Sequence, residues 1–225
     1  MIGPFSLACL DMAGTTVRDD GAVDDAFTVA LQSAGVDLES PRFASARAYV
    51  LETMGQSKAD VLAALLDPGP AAAATAEFAR AYEHIVSAGR VAPIPGALDV
   101  IDALRLRGVQ VCLTTGFAPS TRDALLTALG WSGHIDLALS PADCGRGRPA
   151  PDMIFGAMDR LGVPDAGAVA VVGDTVSDLA SGTAAGAGAV IGVLSGAHDR
   201  AALSAVPHTA LIADLTGLIG VLDVN

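Results

Sequence analysis

Two patterns of hydrophobic and polar positions divide this chain. From about residue 93 onward, short solid apolar runs alternate with longer stretches whose apolar residues recur every three or four positions. The runs are QVCL (110–113), a short segment at 137–139, AVAVV (168–172) and AVIGV (189–193), with one further strand expected within 208–213 before a terminal helix. They predict buried strands. The periodic stretches predict helices over 97–106, 120–129, 152–161 and 177–185. Such alternation argues for a parallel sheet covered by helices on both faces. FSLACL (5–10) is another solid run, stopping at Asp11, and it predicts the first strand of that sheet.

Residues 19–88 carry no such run. Helical spacing predicts helices at 26–34, 42–50, 59–66 and 71–87, with Asp67-Pro68-Gly69-Pro70 as a turn. Two stretches read as linkers, Arg18–Asp25 (RDDGAVDD) and Val91–Gly96 (VAPIPG). The fold class expected is therefore α/β: a doubly wound parallel sheet with a small all-helical cap inserted after the first strand. The core would comprise 1–18 and 91–225, the cap 19–90.

Composition narrows the function. With 225 residues, 52% of them hydrophobic, the chain can bury a sizeable core. Acidic residues outnumber basic ones 25 to 13, a formal net charge of -12, and no Lys/Arg cluster makes a basic face. Nucleic acid and anionic membranes are poor partners for such a surface. The apolar runs fall well short of the roughly 20 residues of a spanning helix, and the first ten residues do not read as a signal peptide. The three cysteines, Cys9, Cys112 and Cys144, form no CxxC pair. They read as thiols of a reducing cytoplasm, two of them in buried strands. Of the 13 basic residues, 12 are arginines, and the one lysine is Lys58.

In an open parallel sheet, ligands bind beyond the carboxyl ends of the strands. Four polar groups occupy that place in order. Asp11 precedes Met12-Ala13-Gly14-Thr15-Thr16; Thr114 and Thr115 precede Gly116; Arg148 lies in the loop Gly145–Pro151; Gly173-Asp174-Thr175 is followed by Asp178. A carboxylate can attack phosphorus and carry an acylphosphate. Converging carboxylates suit an oxygen-liganded Mg²⁺. Glycine-flanked amides, a hydroxyl and an arginine can hold phosphate oxygens. Singly, each of these residues is most often a cap, a turn or a solvated side chain; their order on successive strand ends is what points to phosphoryl transfer.

This order, DxxGT, a Thr pair, a basic residue and GDxxxD, resembles the haloacid dehalogenase (HAD) superfamily, and in detail its phosphonoacetaldehyde hydrolase (phosphonatase) branch. Ala13 stands where most superfamily phosphatases have a second Asp, Arg148 where Lys is usual, and Met54-Gly55-Gln56-Ser57-Lys58 matches a cap MGxxK motif. The resemblance spans about residues 5–20 and 93–200. It implies a Rossmann-like core, Mg²⁺ bound by Asp11, the Ala13 carbonyl and Asp174 with Asp178 supporting, and Asp11 as the nucleophile. Met12, Thr114, Thr115, Gly116 and Arg148, with Met54 and Gly55 from the cap, would bind phosphate or substrate. Family members often dimerise through the cap, and the Ala-rich helix at 71–87 could serve that or pack within its own chain.

Ala13 and Lys58 bear on each other. A phosphatase needs a proton donor for its leaving alkoxide, and Ala13 cannot move a proton. A carbon leaving group needs a different device: a lysine condensed with an aldehyde gives an iminium, which accepts the electrons of the breaking C–P bond. The resemblance gives Lys58 that role toward phosphonoacetaldehyde or a close analogue. Its amine would then need a depressed pKa, from burial or a nearby cation such as Arg148. The chain departs from the branch at Val61, where a His usually follows the lysine by three residues, at Phe117 in place of Tyr, and at Ala22 in place of a Cys found in some members. Among the histidines, His84 is the one expected to approach the site. Two readings compete: a phosphatase acting on a small phosphate ester with a good leaving group, and a catalytically weak phosphate-binding relative.

Overall fold

The computed structural model describes residues 5–222. Strand β1 (Leu7–Asp11) leads through the two-residue strand β2 (Val17–Arg18) into four helices: α1 (Ala22–Ser33), α2 (Pro41–Glu52), α3 (Lys58–Leu65) and α4 (Pro68–Ser87). The chain returns through β3 (Ala92–Pro93) and then alternates: α5 (Ala97–Leu106), β4 (Gln110–Thr114), α6 (Pro119–Leu129), β5 (Leu137–Leu139), α7 (Pro141–Cys144), α8 (Asp152–Leu161), β6 (Val169–Gly173), α9 (Val176–Ala185), β7 (Ala189–Val193), α10 (Arg200–Ser204), β8 (Ala210–Ile212) and α11 (Leu218–Leu222).

Six strands form one parallel sheet in the order β5-β4-β1-β6-β7-β8. β1 is central, paired with β4 on one side and β6 on the other, so the chain order reverses beside it. That is where a crevice opens at the carboxyl end of a doubly wound sheet. Side chains of β1 alternate between two cores. Ala8 and Leu10 join the larger one, with Val100, Ile101 and Leu104 of α5; Leu7 and Cys9 join the other, with Met153, Ile154 and Ala157 of α8. With both faces covered, all five residues of β1 are buried. This is why the strand reads as a solid apolar run rather than an alternating one.

The inserted block is all helical and sits over the crevice. α4 packs against α1 and α3 within the cap and against α6 of the core. Its buried residues, Ala71, Ala74, Phe78, Tyr82 and Ile85, follow helical spacing. The Ala-rich helix thus spends its apolar face inside its own chain.

Several boundaries differ from the sequence reading. Asp67–Pro70 is not a turn: Asp67 is the N-cap of α4 and Pro68 opens its first turn, where a missing N–H costs nothing. α1 begins at Ala22, four residues before the expected start, because Asp19 accepts the Val23 N–H and holds the first turn. The two linkers pair as the antiparallel ribbon β2–β3, with Val17 opposite Pro93 and Arg18 opposite Ala92. A two-residue pairing has no periodicity to read. The short helices α7 and α10 were not expected either.

Candidate active site

Asp11 is the last residue of β1 and lies in register with Thr114. The chain then folds back sharply: the Met12 carbonyl accepts the N–H groups of Thr16 and Val17 at 2.9 and 2.8 Å, and Gly14 takes φ +89°. The Thr16 hydroxyl donates to the Asp11 carbonyl at 2.9 Å. This turn brings Ala13 to the cavity wall while the Met12 side chain stays fully buried.

Arg148 is buried between two carboxylates. Its Nη1 donates to Asp11 Oδ1 at 2.6 Å and also meets Asp178. Asp178 is held from the other side by a capping box at the start of α9: its Oδ2 accepts from the Thr175 N–H at 3.0 Å and from the Thr175 hydroxyl at 2.5 Å. Asp174 accepts from the Ala197 N–H at 2.6 Å and the Thr15 hydroxyl at 3.0 Å. Gly14 and Gly196 lie so close to its carboxylate that a Cβ at either would collide with it. Burial, and then the negative charge of Asp11, push the Asp174 carboxyl up to about 7.

One carboxylate oxygen from each of Asp11, Asp174 and Asp178 lies within 4.8 Å of the others, and all three residues are buried. Three buried carboxylates face one buried guanidinium. Hard oxygen donors carrying surplus negative charge fit a divalent cation such as Mg²⁺, which would offset both the burial and, second to it, the Asp11 repulsion that raise the Asp174 carboxyl.

The cap closes this site from above through the loop between α2 and α3. Gly55 takes φ +85° and abuts Thr175. Ser57 caps α3 by accepting the Asp60 N–H. Lys58, the first residue of α3, donates its backbone N–H to the Gly116 carbonyl at 3.1 Å, a direct cap-to-core bond. Its side chain points inward and is buried, with Nζ 5.8 Å from the Phe27 ring centroid and 5.5 Å from that of Phe117. Burial above all, then the positive charge of Arg148, lowers the Lys58 amine to about 8, against the opposing pull of Asp11, Asp19 and Asp174. The ring faces favour the ammonium by about 0.5–2 kcal/mol, so they too oppose the burial effect. Tyr82 backs this wall, its ring 4.4 Å from that of Phe117, and its buried hydroxyl has no hydrogen-bond partner among the described residues.

A cavity of about 350 Å³ joins the two parts. Of the residues expected from sequence, Asp11, Ala13, Met54, Gly55, Lys58, Thr115, Gly116, Arg148 and Asp174 line it; Met12, Thr114 and Asp178 lie behind the wall. His84 does not approach it. That residue lines an outer groove of the cap with Asp25, Glu77, Arg80 and Arg90, because α4 turns its Phe78–Tyr82 face inward. Val61 is packed in the apolar core. No histidine lines the cavity among the described residues. His198, set aside in the sequence reading, sits nearby: its Nδ1 accepts the Val176 N–H at 2.9 Å and its Nε2 meets the Leu51 carbonyl of the cap at 3.3 Å.

Sequence reasoning missed Asp19, Thr15, Phe27 and the Ser195–Ala197 loop. Asp19 lay in a charge run that reads as solvent-exposed linker, and the loop after β7 has no distinctive chemistry. Only Thr15 had a signal, its place in the turn after Asp11.

The haloacid dehalogenase-like hydrolase family model matches residues 5–186. A phosphonoacetaldehyde hydrolase of Bacteroides fragilis is 34% identical over 128 residues, 56% of this chain and 48% of that protein; the match thus spans about half of that relative's length. A probable phosphatase, IndB, of Dickeya dadantii is 27% identical over 215 residues, 95% of this chain and 92% of that protein. The crystal structure of a hydrolase from Pseudomonas syringae superposes with a TM-score of 0.83 at 22% identity, covering 97% of this chain and 98% of the other. With the family model covering most of its length, and the same fold in a solved hydrolase, this chain belongs to the haloacid dehalogenase-like hydrolases.

Proposed function

We propose that the protein is a phosphonatase-like hydrolase that cleaves the C–P bond of phosphonoacetaldehyde or a close analogue. The observation that carries this reading is one cavity holding a buried, easily deprotonated lysine and a strand-end carboxylate, with Ala13 where a proton donor would otherwise stand. Lys58 would condense with the substrate aldehyde to an iminium. Asp11 would attack phosphorus, the C–P electron pair would pass into the iminium, and the phosphoaspartate would then be hydrolysed. Arg148, Thr115 and the backbone of Gly116 would hold the phosphoryl oxygens, supported from behind by Met12 and Thr114, with Met54 and Gly55 closing over the substrate. Mg²⁺, held by Asp11, Asp174 and the Ala13 carbonyl with Asp178 behind them, would neutralise charge on those oxygens.

In this reading the core comprises 1–18 and 91–225 and the cap 19–90, with the β2–β3 ribbon as the seam. The setting is cytoplasmic, in keeping with three free cysteines and with no described helix long and apolar enough to cross a membrane. A homodimer through the cap belongs to the same reading and is testable by sedimentation.

Borohydride reduction in the presence of phosphonoacetaldehyde tests the function. The expected outcome is loss of activity with one reduced adduct on Lys58, and no adduct in Lys58→Arg. An unmodified, fully active enzyme after treatment would overturn the reading. A second reading, a phosphatase on an ester whose leaving group needs no proton, is favoured by the match to the probable phosphatase over nearly the whole chain. Full activity of Lys58→Arg toward phosphate esters would select it.

A further inference from the structure

Imine chemistry moves protons at every step, and neither Val61 nor His84 can move them here. The cavity wall holds five carboxylates, and four are already committed. Asp11 is paired with Arg148 at 2.6 Å. Asp174 is held by Thr15 and Ala197 among the candidate metal ligands. Asp20 is paired with Arg18 at 2.8 Å and is largely solvent-exposed. Asp24 is clamped by Arg47 through contacts of 3.1, 3.0 and 2.7 Å.

The fifth is Asp19. It is half-buried, makes no ion pair among the described residues, and is one of the three carboxylates whose charge acts on the Lys58 amine. Both its oxygens face the Val23 N–H, at 3.2 and 3.3 Å, which fixes the carboxyl at the start of α1. With the Gly21 backbone N–H as a further contact, these two donors still leave it lone pairs for another partner. The hydroxyls of Thr15, Thr175 and Ser195 are no substitute, since each already donates, to Asp174, Asp178 and the Gly14 carbonyl.

We infer that Asp19 is the proton carrier for imine formation at Lys58, a catalytic residue for an aldehyde-bearing substrate. The inference rests on the phosphonatase-like reading above. The Asp19 carboxylic acid donates its proton to the carbonyl oxygen as the neutral Lys58 nitrogen bonds to carbon. The carboxylate takes one proton back from that nitrogen, leaving a neutral carbinolamine. The acid then protonates the departing hydroxyl; the C–O bond breaks, water leaves, and the nitrogen lone pair closes the C=N bond. Asp19 ends as the carboxylate, ready to take a proton from water when the imine is hydrolysed after C–P cleavage. Burial raises the Asp19 carboxyl above the usual carboxylate range, which favours the protonated form that the first step needs.

The test is the rate of borohydride trapping with phosphonoacetaldehyde in wild type, Asp19→Asn and Asp19→Ala. Asn keeps the volume and an oxygen for the Val23 N–H, so circular dichroism and melting temperature should match wild type. Loss of proton transfer should slow trapping by about 10²-fold or more in both variants. Added formate or acetate should restore the rate in Asp19→Ala, in proportion to its concentration, and should do nothing for Lys58→Arg. Trapping at the wild-type rate in a folded Asp19→Asn would overturn the inference while leaving the imine reading intact. Slow trapping that no small carboxylic acid rescues would also overturn it, by reducing Asp19 to a cap of α1. Absence of trapping in the wild type would instead sink the underlying reading.

Discussion

Lys58 is chemically a different group from a surface lysine. Burial among Phe27 and Phe117, beside Arg148, brings its amine to about 8, so a useful fraction is neutral near neutrality. Imine formation requires the neutral amine, and in Asp19→Asn, where no carboxyl titrates beside it, the trapping rate should rise with pH through about 8 and then level off. A rate that climbs without a plateau to pH 10 would mean an ordinary, solvated lysine. The same shift has a consequence for stability. The folded protein releases this proton near 8 and the unfolded chain near 10.5, so between those values the unfolded state binds more protons. Stability from this group therefore rises with pH across that window, and below about 8 the full cost of the buried charge is present.

The chemistry of single residues was partly legible. Asp11, Arg148 and Asp174 stood out through their order and neighbours, and Lys58 through its isolation in composition. Asp19 did not, because an aspartate in an RDDGAVDD run is indistinguishable from its neighbours until the chain folds. Arg18 pairs with Asp20 and Arg47 with Asp24, which leaves Asp19 toward the cavity.

At the scale of elements, the loop between α2 and α3 joins cap and core. Gly55 needs its left-handed backbone and its lack of a Cβ, since a methyl there would strike the Thr175 hydroxyl. Gly116 is similarly crowded by the Gln56 carbonyl. Gly55→Ala is strained by about 1 kcal/mol or more at a positive φ, and the collision adds to that. Relief comes most readily by lifting the cap. The expected outcome is a variant that melts within a few degrees of wild type, yet with KM raised at least tenfold. Wild-type kinetics in Gly55→Ala would show that cap seating at Thr175 is irrelevant to turnover. Strand and helix identity in the core followed from apolar runs covered on two faces. The β2–β3 ribbon and the true starts of α1 and α4 did not, because they depend on one paired dipeptide, one side-chain cap and one proline at a tolerated position.

At the scale of the whole molecule, the sheet gathers charge that the isolated strands would disperse. Asp11, Asp174 and Asp178 come together with Arg148 from three separate segments. Without a cation, the raised Asp174 carboxyl makes stability fall as pH rises from about 4 toward about 7, since the folded state holds a proton the unfolded state has lost. Mg²⁺ should counter this. At pH 7, a concentration about 100 times the dissociation constant adds about 2.7 kcal/mol, or about 5–10 °C in melting temperature for a chain of this size. The shift should vanish with chelator and in Asp174→Asn. An equal Mg²⁺ effect in that variant would place the ion elsewhere.

The sequence by itself determined the layered α/β core, the helical insertion after the first strand and the order of polar groups on successive strand ends, because these follow from local periodicity and from which positions can be solid apolar runs. Only the tertiary structure decided that the cap brings Lys58 and Asp19 over Asp11, that α4 turns His84 outward, and that Arg148 lies between two carboxylates. Those outcomes depend on which face each helix buries and on charges brought together from segments far apart in the chain, and no local pattern encodes either.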